Sequence, residues 1–324
     1  MSKKPILYDI KIATGIAIIL VVIGHLSSRG EVGIDLYVNL KQVIYKFHMP
    51  LFLFLSGYIA QYTYKPIESL NDYFYFIKKK SIRLLPAYLI MSFVFFVGKY
   101  NLGEGTEISE GIFNILFSPA DGNSGFLWYL YVLFIYNLSM PVINYCLQNK
   151  FIFFFIISIL ISSFLDFPDL LSLNFYFWYL PFFILGCYFS SKRETYMRIL
   201  KKFGLIILIV FIIWIFLEFL GIINIHKNIV SFFAIIGITY ISSVKLERNV
   251  LLEKLGDNSF YIYLFNTLFI GAISFLLINY LGKESFYNNF YYFAPFFILI
   301  GLYLPIWLQK YFISRLPIIS KLIR

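Results

Sequence analysis

The sequence predicts an all-α fold: a polytopic membrane helix bundle of about ten transmembrane helices, in a single domain over residues 1–324. Three observations carry this. Hydrophobic residues make up 60% of the chain and charged residues only 14%, against about 25% charged in soluble domains. Apolar runs near the length needed to cross a bilayer, about 20 residues each, recur from end to end with short polar interruptions. The basic residues collect in alternate gaps between those runs. A soluble fold of this size lacks the interior to hide so much apolar surface, so the surplus faces lipid.

The apolar runs place spans at 10–27, 43–62, 84–99, 126–146, 150–166, 175–190, 203–221, 228–244, 258–281 and 290–309. The opening MSKKP followed by an apolar stretch superficially suggests a secretory signal. However, Ile12–Leu26 runs past His25 to Arg29 without a small-residue cleavage site, so it reads as a retained first span. With the N-terminus in the cytoplasm, 63–83, 147–149, 191–202, 245–257 and the tail after 309 are cytoplasmic too. Counting helix ends, 21 of the 27 basic residues then fall on that side, which is the positive-inside pattern. The same distribution accounts for the net charge of +10 without a nucleic-acid partner.

Cys146 and Cys187 both fall near helix ends on the cytoplasmic side, where no disulfide framework is expected. Gln148–Lys150 must make a tight turn. The longest outer loop, about 100–125, carries Glu104, Glu107, Glu110 and Asp121 among Gly, Asn and Ser. It reads as a solvated linker or as part of a surface for a polar acceptor. No internal repeat is evident, which weighs against transporter folds built from duplicated halves.

Ionisable groups inside spans are costly in hydrocarbon, so they are functional candidates by default. His25 lies near the end of the first span and His48 near the start of the second. The two helices run antiparallel, which puts both imidazoles at similar depth in the outer half of the bilayer. From Ile10 to His25 the helix rises about 22 Å. An imidazole titrates near neutrality and can take a proton from an attacking hydroxyl; either ring could equally be a structural histidine bonding a neighbouring helix. A metal site joining His25, His48 and His226 is not expected, because the spacing fits no compact ligand motif. The run KKKSIRLLPAY at 78–88 sets Lys78, Lys79, Lys80 and Arg83 at the membrane surface. It is a positive-inside anchor, and it could also hold the phosphates of a nucleotide-containing donor.

Together these segments resemble the acyltransferase-3 family of integral-membrane O-acyltransferases. Tyr8–His25 resembles the family's opening helix, which ends in Val-Val-x-Gly-His. Phe47–Tyr58, FHMPLFLFLSGY, is similar to its His-x-Pro-Leu-Phe-x-Phe-x-Ser-Gly signature. KKKSIRLLPAY, then Gly125–Phe134 around Trp128, and Leu255–Asn266 around Tyr263 resemble further family segments in the expected order. The resemblance implies an enzyme of the bacterial inner membrane. It would take an acyl group, usually acetyl, from cytoplasmic acyl-CoA to a hydroxyl of a cell-surface polysaccharide or lipid-linked glycan precursor. Acetyl-CoA would be a co-substrate, with no tightly bound cofactor.

Carried onto this chain, the resemblance makes His25 the catalytic histidine and His48 a second active-site residue. Lys80 and Arg83, with Lys79 beside them, become contacts for the coenzyme A phosphates. Trp128 and Tyr263 read as packing residues. Two positions depart from the family pattern. Where members often carry Arg, with ten residues between it and the first histidine, this chain has Thr14; Lys11, one helical turn earlier, is the nearest cation on that helix. Asn266 stands where the family often has His. Asn cannot act as a base at neutral pH, but it can donate a hydrogen bond to an oxyanion. His25 would act as general base or carry the acyl group itself as a covalent intermediate. A glycan or lipid transporter without acyl chemistry would share the helices and the few buried charges, though not the His48–Gly57 signature. A non-catalytic partner of a glycan-assembly machine would share them too.

Overall fold

The computed structural model describes residues 5–27, 34–103, 105–246 and 248–316. Lys3, Lys4, Arg29, Glu104, Lys321 and Arg324, which enter the charge argument, lie outside the described residues. Among the described residues there is no strand. The helices are α1 (Tyr8–Gly24), α2 (Asp35–Thr63), α3 (Leu70–Asn101), α4 (Ile108–Phe117), α5 (Trp128–Asn149), α6 (Phe151–Phe164) and α7 (Leu173–Ser191). They continue as α8 (Arg193–Phe219), α9 (Lys227–Tyr240), α10 (Val250–Asp257), α11 (Ser259–Leu281), α12 (Lys283–Asn288) and α13 (Phe290–Tyr311). A π-helical turn, Ile241–Lys245, prolongs α9.

Each of the ten expected spans coincides with one of these helices. Eight are long and apolar enough to cross a membrane: α2, α3, α5, α7, α8, α9 with its π turn, α11 and α13. The other two, α1 with 17 residues and α6 with 14, rise about 25 and about 21 Å, against a hydrocarbon core of about 30 Å. Several helices begin well before their apolar stretch. The third span is expected from residue 84, yet α3 starts at Leu70. There the Ser69 hydroxyl accepts the Asp72 N–H (3.1 Å) and donates to the Asp72 carboxylate (2.7 Å), a reciprocal N-cap. The basic run is therefore helical and not a loop. The 100–125 segment likewise contains α4, pinned by the Tyr88 and Tyr131 hydroxyls, which donate to the Ile115 and Leu116 carbonyls.

Cα packing divides the chain into two compact units: Met1–Leu55 with Arg193–Tyr311, and Ser56–Lys192 with Phe312–Arg324. In the first unit α1 is the central helix. It packs on α9, α10, α11 and α13, and its buried residues run from Ile10 to Gly24 around all sides of the helix. Two glycines let α10 reach it backbone to backbone. A Cβ on Gly15 would strike the Leu252 carbonyl, and one on Gly256 the Lys11 carbonyl. Small residues at contact points are the usual means of helix association in lipid, where burial of apolar surface gives little drive. Ion pairs join the ends: Asp9 takes two bonds from Arg193 Nη2 at 3.0 Å each, and Lys11 meets Asp257 at 2.7 Å.

In the second unit α3 packs on α5, and α7 on α5 and α6. The end of α2 joins this unit, where Gly57 lies against the Phe183 carbonyl and its own carbonyl accepts the Cys187 thiol at 3.2 Å. Cys146 and Cys187 are both free thiols.

The close approach at Gly256 gives a direct test. Gly256→Ala should lower the melting temperature of the detergent-solubilised protein, by a destabilisation of roughly 1–3 kcal/mol for overpacking a rigid backbone contact. Gly271→Ala on α11, where an added Cβ meets nothing within 4 Å, should leave it unchanged or raise it.

Candidate functional site

The two histidines lie in the first unit, gathered around one tyrosine. α1 ends at Gly24, and His25 follows as its C-cap, its N–H bonded to the Val22 carbonyl at 3.0 Å. Tyr45 of α2 donates its hydroxyl to the Gly24 carbonyl (3.0 Å), and its ring lies against Gly24 so closely that a Cβ there would come within 2.8 Å of Cε1. From that position the ring meets His25 edge-on, centroids 6.3 Å apart, and His48 at 4.9 Å. The two imidazoles thus share Tyr45 as a neighbour.

His48 is buried, with 5% of its surface exposed. Its Nδ1 lies 2.9 Å from the Ile44 carbonyl, one helical turn back. A carbonyl oxygen only accepts, so the proton of the neutral ring sits on Nδ1 and Nε2 keeps its lone pair. His25 is half-buried, and His48 and Lys41 are close enough to act on it electrostatically.

Lys41 is a residue that the motif reading passed over. It is 6% exposed, donates to the Ser27 carbonyl at 2.6 Å, and lies over the rings of Tyr37 (5.9 Å) and Tyr45 (5.4 Å), within cation–π range. The Tyr37 hydroxyl oxygen accepts the Ser27 N–H at 3.2 Å. Tyr37, Lys41, Tyr45 and His48 follow one another at steps of four, four and three residues, which is one face of a helix. The signal was available in the sequence as a lysine within that stripe.

Below His48, Pro50 has no N–H to offer the Lys46 carbonyl four residues earlier. The Ser231 hydroxyl of α9 serves that carbonyl at 2.9 Å, shared with the Lys227 carbonyl at 2.7 Å. The Lys46 ammonium pairs with Glu218 and donates to Asn224 Oδ1 (2.8 Å) and the Ile225 carbonyl (3.0 Å).

Asn266 is wholly buried on α11, which packs on α1. Its Nδ2 donates to the carbonyls of Ile262 (2.7 Å) and Tyr263 (2.9 Å), and its Oδ1 accepts from Thr267 (3.2 Å). Both amide hydrogens are spent on its own helix, so service to an oxyanion would require exchanging those bonds. Thr14, at the family's Arg position, is buried and donates to the Ile10 carbonyl at 2.8 Å. The Lys11 charge is taken by Asp257. His226 caps the start of α9, where Nδ1 accepts the Asn228 N–H at 3.4 Å. Among the described residues, no group of three or more His, Cys, Asp or Glu side chains is placed to hold a metal ion.

The basic residues lie in the second unit, in the first half of α3. Lys79 and Arg83 are exposed and Lys80 is half-buried, its ammonium 5.4 Å from the centre of the Phe76 ring. Steps of three and four residues put Lys79, Lys80 and Arg83 on adjoining faces of one turn. Arg83 also acts electrostatically on Tyr129, whose hydroxyl shares a 2.6 Å bond with Ser56. Trp128 is stacked on Phe175 (4.4 Å) and Tyr179 (5.2 Å).

A chain whose described residues are all-α, with eight helices among them able to span a bilayer and imidazoles held among those helices, is a multi-pass membrane protein with the groups for acid–base chemistry. A family model described as an acyltransferase domain matches residues 7–314, and the chain belongs to that acyltransferase-3 family. It is a membrane acyltransferase. No curated protein and no solved structure matches it.

The tautomer of His48 yields a separation of stability from chemistry. In His48→Asn the amide nitrogen can take the place of Nδ1 as donor to the Ile44 carbonyl. Its melting temperature in detergent should therefore stay close to that of the unsubstituted protein, within about 1 kcal/mol of stability, although Nε2 has gone.

Proposed function

We propose that this acyltransferase moves an acetyl or related acyl group from cytoplasmic acyl-CoA to a hydroxyl of a cell-surface polysaccharide or a lipid-linked glycan precursor. The observation that carries the reading is the gathering of His25 and His48 around Tyr45, in a chain whose family transfers acyl groups. Two imidazoles held beside one ring, each able to take up and release a proton at nitrogen, suit removal of a hydroxyl proton better than the hydroxyl and ammonium groups around them.

In this reading His25 takes the proton as the acceptor hydroxyl attacks the thioester carbonyl. The tetrahedral oxyanion then collapses, the C–S bond breaks, and the imidazolium returns its proton to the departing thiolate. His48, with its lone pair on Nε2, binds the acceptor hydroxyl or the proton in transit. Lys79, Lys80 and Arg83 hold the phosphates of coenzyme A, for which charge-assisted bonds from ammonium and guanidinium groups are well suited. Asn266 joins in oxyanion stabilisation only if its amide turns away from the Ile262 and Tyr263 carbonyls.

The placement of 21 of the 27 basic residues in alternate connections supports an inner-membrane topology with both termini cytoplasmic. It also supports the basic turn of α3 as the side from which the donor arrives.

Membranes carrying His25→Ala should transfer no labelled acetyl group from acetyl-CoA to glycan or glycolipid, at unchanged abundance of the protein. Full transfer in that variant would end the proposal. The double substitution Lys80→Ala with Arg83→Ala should weaken acetyl-CoA binding by at least about tenfold, the size expected for losing charge-assisted bonds. Titration of the purified protein with acetyl-CoA checks this.

A further inference from the structure

We infer that Lys41, acting with Tyr37 and Tyr45, is a positioning residue that fixes where the His25 ring stands. The inference rests on the reading that His25 handles the hydroxyl proton, and it assigns roles to residues which that reading does not use.

The argument starts from where α1 stops. The helix ends at Gly24, so the peptide groups of its last turn and of residues 25–27 lack the partners that further helix would supply. Away from water each unmet group is costly. Here the partners come from side chains of α2 at four-residue steps. Tyr45 donates to the Gly24 carbonyl, Lys41 donates to the Ser27 carbonyl, and Tyr37 accepts the Ser27 N–H. Both backbone groups of Ser27 and the carbonyl of Gly24 are thereby tied to a single helix face. His25 lies between those ties, and its ring rests edge-on against one of the three side chains.

The chemistry needs such a hold. A base must come within hydrogen-bond reach of the hydroxyl it deprotonates, and a misplacement of about 1 Å can cost about 100-fold in rate. A residue just past a helix end has no helical ladder to keep it in place. The three ties supply that restraint, and the cation adds a charge at the carbonyl end of α1, where the helix dipole favours it. His48 belongs to the same face of α2, one step beyond Tyr45. One rigid helix therefore sets both imidazoles.

The test uses the full chain in native membranes with labelled acetyl-CoA as probe. It compares the unsubstituted protein, His25→Ala, Lys41→Met, Lys41→Arg and Tyr45→Phe at matched abundance. Lys41→Met should lower the maximal rate about 10- to 100-fold with little change in the acetyl-CoA concentration for half-maximal rate. Lys41→Arg, which can still donate to the Ser27 carbonyl, should recover most of the loss. Tyr45→Phe, which keeps the ring and drops one tie, should fall between.

An undiminished rate in Lys41→Met beside an inactive His25→Ala overturns the inference and leaves the proposed function standing. A loss that Arg does not restore, or one confined to half-saturation, overturns it as well. Full activity in His25→Ala removes the reading beneath, and the inference falls with it. If Lys41→Met fails to accumulate, Tyr45→Phe decides: an unchanged maximal rate there overturns the inference.

Discussion

A backbone that stops being helical among other helices leaves peptide groups that need new partners, and side chains of a neighbouring helix can supply them. That requirement governs the end of α1. The chain leaves its helix at Gly24 with carbonyls pointing onward, and the side chains that meet them determine what can sit beside His25. Tyrosine and lysine are apt choices. Each is long enough to cross from one helix to the next and carries a donor at its tip, with an apolar body to pack on the way. One of these side chains, Tyr45, is also the ring against which both imidazoles rest.

How α1 is enclosed follows from a second constraint. Lipid tails are as apolar as leucine, so helices gain little by hiding hydrocarbon from them and gain more from close contact. α1 uses Gly15 and the facing Gly256 for that purpose, and ion pairs at Asp9 and Lys11 tether its beginning. Its far end is tied by α2. The segment bearing His25 is thus attached to a helix anchored along its whole length.

Much of this was legible in the sequence. The ten apolar stretches each found a helix, and the two histidines stood out because charge-bearing groups are scarce within them. Helix beginnings were harder to read. Hydropathy ends where lipid ends, whereas α3 continues into its polar turns back to Leu70; the cap at Ser69 and Asp72 was written in the sequence but carries no hydropathy. Tyr45 was one of 27 tyrosines, and nothing in its type separates a ring between two imidazoles from a ring in lipid. Lys41 was counted as one of the few basic residues outside the cytoplasmic face, which hid its role as a donor. Asn266 illustrates a different gap. Its identity was plain, but the direction of its amide depends on a side-chain torsion, and that torsion turns both hydrogens onto its own helix.

Pro50 shows how an omission can act as a locating pin. Its ring deletes one hydrogen from α2 and strands the Lys46 oxygen, and the hydroxyl that answers comes from Ser231, 185 positions along the chain. Sliding α9 by one residue would carry that hydroxyl about 100° around its axis and leave the oxygen bare. Two distant stretches are therefore held in register by an atom that proline does not have.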